Sequence, residues 1–119
     1  MNRDRQLTLQ EHQRAVRLYN EMAVVFTETA SDAPVLARNR WVEITITECL
    51  EEIGDERVLL EAWRMWSKSR NLVGLQWHVT KFQTEMAGLI PTAKREVDCQ
   101  IAQAKAEAAR RARLQGGAR

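Results

Sequence analysis

The chain reads as an all-α, single-domain bundle of about five helices with a long Ala-rich C-terminal helix, and three observations predict it. Five glycines and two prolines in 119 residues are too few for the many turns of an all-β fold. Apolar residues recur at steps of three and four, the period of a helix with one face inward. Helix start and stop signals fall between the resulting stripes. A chain of this length buries roughly two thirds of its unfolded surface, so one core can hold without disulfide or metal.

The first helix is predicted over Leu9–Glu28. Thr8-Leu9-Gln10-Glu11 has the form of a capping box, with Thr8 as N-cap and Glu11 reaching back to it. Leu9, His12, Val16, Tyr19, Ala23 and Phe26 form a stripe expected to face the core. The second helix is predicted over Ala33–Ile53, with Asp32 as cap, Pro34 in the first turn and Val35, Val42, Ile46, Cys49 and Ile53 on one face. Val42 to Thr47 also alternates apolar and polar and is rich in β-branched residues, which is a strand signal. Helix is preferred there because no second strand is at hand to pair the backbone.

Gly54 suits the C′ position and Asp55 the next N-cap. The third helix, Glu56–Ser69, carries the stripe Val58, Leu59, Ala62, Trp63 and Trp66, with the polar run Ser67–Asn71 expected to fray into a loop that Gly74 closes. The fourth is predicted over Gln76–Leu89, with Trp77, Phe82, Met86 and Leu89, and Pro91 interrupts it. The fifth, Thr92–Gln115, is built from Ala, Lys, Arg, Glu and Gln, all strong helix formers. Val97, Ile101, Ala104 and Ala108 draw a thin seam along it, so this helix packs on the bundle or projects from it. The domain reading is therefore a bundle core over 1–91, a basic helix over 92–115 and a disordered tail over 116–119.

Several functions lack their residues. No apolar run approaches the roughly 18 residues that span a bilayer, and Met1–Gln6 is too polar for a signal peptide, so a cytoplasmic location is expected. Cys49 and Cys99 stand 50 positions apart with no metal-ligand spacing and read as reduced core thiols. There is no phosphate-binding glycine loop, and His12 and His78 belong to no metal motif. The acidic run Glu48, Glu51, Glu52 and Asp55 reads as a solvated helix end rather than a metal site. No enzymatic activity, cofactor or metal is expected.

Charge is distributed unevenly. Residues 1–60 hold seven Lys/Arg against eleven Asp/Glu, and residues 61–119 hold eleven against five. The second half is thus the better candidate for an anionic partner. Within it, Trp63 to Phe82 contains three of the four tryptophans together with Arg64, Lys68, Arg70, His78 and Lys81. Phosphates attract Lys and Arg, and unpaired bases stack on flat aromatic faces. Tryptophans at helical spacing more often belong to a core, which is the reading for Trp63 and Trp66. Trp77, following a loop, is the candidate for stacking. Arg64, Lys68, Arg70 and Lys81 are assigned to phosphate, with Arg110, Arg111 and Arg113 as a second basic site.

Leu18-Tyr19-Asn20-Glu21, then Trp63 and Trp66, the Ser69-x-x-Leu72-x-Gly74 spacing, Gln76-Trp77 and Lys81-Phe82 resemble the C-terminal part of phage replication-initiation and helicase-loader-type proteins. They also resemble the single-strand-binding domain of the primosomal protein DnaT. The resemblance covers roughly residues 16–90 and implies a helical module that contacts single-stranded DNA or a helicase. The basic run such proteins carry before the second helix is reduced here to Arg38 and Arg40.

The leading expectation is a nucleic-acid-binding accessory protein that contacts a single strand within a replication or other nucleoprotein complex. A helical small subunit of a CRISPR interference complex fits the same class by size and composition. The alternatives are a protein-binding adaptor or phage-encoded inhibitor, and a homo-oligomer with the 92–115 helix as its seam.

Overall fold

In the computed structural model, residues 5–29, 38–69 and 79–116 are described. They form five α-helices: α1 (Leu9–Thr29), α2 (Arg40–Ile53), α3 (Glu56–Ser69), α4 (Val79–Glu85) and α5 (Ile90–Gly116). A single 3₁₀ turn, Met86–Gly88, joins α4 to α5. No strand occurs among the described residues.

The start of α1 is the capping box its sequence predicts. Glu11 N donates to Thr8 Oγ1 at 3.1 Å, and Thr8 N donates to Glu11 Oε1 at 2.9 Å. The buried face differs from the expected one. Ala15, Leu18, Met22 and Phe26 point inward, whereas His12 is half exposed and Leu9 is 71% exposed. The helix is rolled by about one residue relative to the predicted stripe, which shares only Phe26 with the observed one. The roll buries the flexible apolar Leu18 and Met22 and leaves the amphipathic His12 at the rim, where its Nδ1 meets the buried Glu43 carboxylate.

Helix α2 starts later than predicted. Arg38 and Asn39 are not helical, and the Asn39 side chain caps the helix by accepting from Val42 N at 2.9 Å. Asp32 and Pro34, proposed for that role, lie outside the described residues. The strand-like segment 42–47 is helical and buried at every position. Alternation arises because α2 is surrounded. Val42 and Ile46 join the main core, while the polar positions between the apolar ones find local partners. Thr45 Oγ1 donates to Trp41 O and Thr47 Oγ1 to Glu43 O, each at 2.9 Å, so both hydroxyls are satisfied within the helix. Glu43 faces His12 and Arg38.

Gly54 ends α2 in the left-handed region, φ 82°, where a side chain is strained. Its N–H donates to Leu50 O at 2.7 Å. One residue on, Asp55 Oδ1 accepts from Arg57 N at 2.8 Å and opens α3. All five predicted stripe residues of α3 are buried. Ser67, expected in a fraying loop, is instead helical and buried, because the helix continues to Ser69.

The core is aromatic at its centre. Trp63 stacks on Trp66 with centroids 5.1 Å apart, and Phe82 meets Trp63 edge-on at the same separation. Phe26 closes the cluster from α1 at 6.1 Å. Each such pair adds about 0.5–1.5 kcal/mol beyond burial. The indole N–H groups are satisfied: Trp63 Nε1 donates to Met22 O at 2.8 Å and Trp66 Nε1 to Glu85 Oε2 at 2.9 Å. The packing pairs are α1 with α2 and α3, α2 with α3 and α4, and α3 with α5.

Pro91 does not break a helix here. It sits in the first turn of α5, where its missing N–H has no intrahelical role, and α5 begins at Ile90 rather than Thr92. Ala93 and Val97 are buried against the bundle and Ile101 is partly covered. From 102 to 116 every residue is exposed. The seam therefore ends at Ile101, and Ala104 and Ala108 continue it into solvent. Gly116, the first residue of the expected tail, is still helical, and 117–119 lie outside the described residues.

Candidate nucleic-acid interface

The structure divides the eight predicted site residues into three groups. Arg64 belongs to the first, being partly exposed and already holding a carboxylate partner. Its Nε donates to Glu61 Oε2 at 3.0 Å and its Nη2 meets the other oxygen of the same buried carboxylate. The hydrogen bond to Glu61 holds the guanidinium above its already high pKa, and Glu96 on α5 adds to the effect. Arg64 thus balances the buried Glu61 within α3, since a buried carboxylate without a cation is costly.

Lys68 and Lys81 form the second group. Lys68 ends α3, where a cation complements the helix dipole, and Lys81 lies on the outer side of α4. Both are exposed and neither has a carboxylate partner among the described residues. Arg70 and Trp77 lie outside the described residues, as do Leu72, Gly74 and His78. Of the other residues that carried the resemblance, Leu18, Trp63, Trp66 and Phe82 are core.

The third group is the tip of α5. Arg110, Arg111 and Arg113 are exposed, and only Arg111 is paired, to Glu107 at 2.7 Å. Lys105 stands on the same projecting stretch and was missed as a site residue. Its signal, a Lys five residues before the Arg cluster in an Ala-rich stretch whose one large apolar residue is Leu114, is present in the sequence. Residues 102–116 carry four Lys/Arg against one acid, Glu107. The second group lies on the bundle and the third on the arm. At 1.5 Å per residue, Arg113 lies about 24 Å along the axis from Val97.

Several acids of the first half are held in ion pairs, and its excess of four acidic residues remains. Arg5 bridges Glu51, at 2.5 and 2.8 Å, and Glu11, at 2.9 Å, tying the N-terminal segment to the end of α2. Arg17 pairs with Glu56 at 2.6 Å. Hydrogen bonding to Arg5 holds Glu51 below the usual carboxylate range, and the Thr8 backbone N–H does the same for Glu11. Among the described residues no cluster of His, Cys, Asp and Glu is arranged to hold a metal. Burial pushes the Cys49 thiol up to about 12, so it is protonated at neutral pH. Cys99, expected in the core, is exposed, since it lies two positions beyond Val97 and so on the opposite side of α5. No helix of the described residues is long and apolar enough to cross a membrane.

Comparison with protein-family models, with curated proteins and with solved structures gives no match.

Proposed function

We propose that the protein is a non-enzymatic nucleic-acid-binding accessory protein of a replication or other nucleoprotein complex, and that its main phosphate contacts come from the projecting half of α5. One observation carries this reading: 102–116 is fully exposed, cationic and contributes nothing to the core. Long Lys and Arg side chains displayed on a rigid arm attract a polyanion and release its counterions. Lys68 and Lys81 add a second, weaker contact on the bundle.

The test is fluorescence anisotropy of a labelled oligonucleotide at two salt concentrations. Three phosphate contacts give a loss of affinity of about 40-fold between 50 and 200 mM salt. Absence of binding at the lower salt, or binding indifferent to salt, overturns the reading.

A protein-binding adaptor is the second reading, and a separate feature favours it. Val24 is 58% exposed and shares an apolar surface with Val25 and Leu60, rimmed by Asn20 and Glu21. Under this reading Val24→Asp abolishes capture of a protein partner, while oligonucleotide affinity is absent from the start.

A further inference from the structure

Resting on that nucleic-acid reading, we infer that the arm of α5 is a groove-reading helix whose ligand is B-form duplex DNA rather than a single strand. Three features lead there. First, the arm carries no aromatic residue between Ile101 and Gly116, so it offers no stacking platform for unpaired bases. Trp63 and Trp66 are committed to the core and contribute none either.

Second, the arm is slim. Six of its fifteen residues are alanine, at 102, 104, 106, 108, 109 and 112, and no part of the bundle covers them. A helix with its side chains is about 10–12 Å across, and the major groove of B-form DNA is about 12 Å wide. The narrow, deep major groove of an A-form RNA duplex does not admit it.

Third, the side turned away from the bundle has the chemistry of base edges. Ala106 lies nine residues past the buried Val97, about two and a half turns, and so points directly opposite it. Gln103, Arg110 and Arg113 fall on the same side and line one shallow depression with Ala106 and Glu107. Gln pairs with adenine, Arg with guanine, and a methyl group packs on the thymine methyl. Lys105 borders this face and is placed for the phosphates at its edge. Glu107 is the one opposing charge, and Arg111 neutralises it at 2.7 Å.

The experiment uses the full-length protein. A labelled mixed-sequence DNA duplex, its single strand and the matching RNA duplex are titrated at low salt, with methyl green as a major-groove competitor and netropsin as a minor-groove competitor. The expected result is binding to the DNA duplex at least about tenfold tighter than to either other ligand, displaced by methyl green. The double variant Arg110→Ala/Arg113→Ala keeps its helical circular dichroism and loses on the order of tenfold or more in duplex affinity. Equal affinity for the single strand or the RNA duplex, displacement by netropsin alone, or a folded double variant that binds as well as the parent overturns the groove assignment and leaves the broader reading standing. Absence of binding to all three nucleic acids overturns both.

Discussion

Trp63 and Arg113 mark opposite uses of the same secondary structure. Around Trp63 side chains of α1, α3 and α4 converge, the indole is fully buried and its N–H finds a backbone carbonyl. Around Arg113 there is only α5, and every neighbour faces solvent. Helix at the centre exists because tertiary packing compensates the entropy of ordering it. Helix at the tip has no such cover and stands on intrinsic propensity, with six alanines and the Glu107–Arg111 pair one turn apart. Stability is therefore concentrated in one region and the proposed binding surface in another, and substitutions in the two regions should separate cleanly.

Four experiments probe that separation. The largest effect is expected at the centre: Trp63→Ala removes the ring that joins Phe26, Trp66 and Phe82 and leaves Met22 O without its donor. A loss of about 3–5 kcal/mol is expected in urea denaturation, a large fraction of the roughly 5–15 kcal/mol that holds a domain of this size folded. A cost below about 1 kcal/mol would mean the cluster is not the keystone of the core.

The two cysteines extend the contrast to kinetics. Cys99 should react with a thiol reagent at once, and Cys49 more slowly by at least on the order of a thousandfold, through global opening. The sign of the accompanying pH effect is fixed. Folded Cys49 stays protonated up to about 12 while the unfolded thiol ionises near its ordinary value, so stability is unaffected below about 9 and falls as pH rises through that window. Rapid modification of both thiols in the native protein would contradict the burial of α2.

Smaller losses belong to helix ends. Gly54→Ala places a side chain at φ 82° with no steric contact nearby, so only backbone strain acts, and about 1 kcal/mol is expected. The smallest effect is expected on the arm. Arg110→Ala/Arg113→Ala should change the unfolding free energy by no more than about 0.5 kcal/mol. A larger loss would show that the tip packs on something in solution.

Much of this architecture was legible because its signals are local. Thr8 with Glu11, Gly54 with Asp55, and the Val58–Trp66 stripe each act within a few residues, and each appears where the sequence placed it. The roll of α1 was not legible. Two interleaved stripes compete along it, and the choice depends on which face α2 and α3 meet, a tertiary fact. The early start predicted for α2 failed for a similar reason, since Asn39 offers as good a cap as Asp32 and periodicity does not rank them. Trp63 and Trp66 were correctly read as core. The pairing of Arg64 with Glu61 was legible as a three-residue spacing, but the burial of Glu61 that gives it weight was not.

The unbroken run of α5 from Ala93 to Gly116 also makes it a lever. The bundle grips it from Ile90 through Ala93 and Val97 to Ile101, while about 22 Å extends beyond Ile101. A tilt of about 5° at the grip moves the tip by about 2 Å, more than half of the step between adjacent base pairs. Whatever alters the packing beneath Val97, including a partner seated on α3, is magnified at the far end into a change of aim.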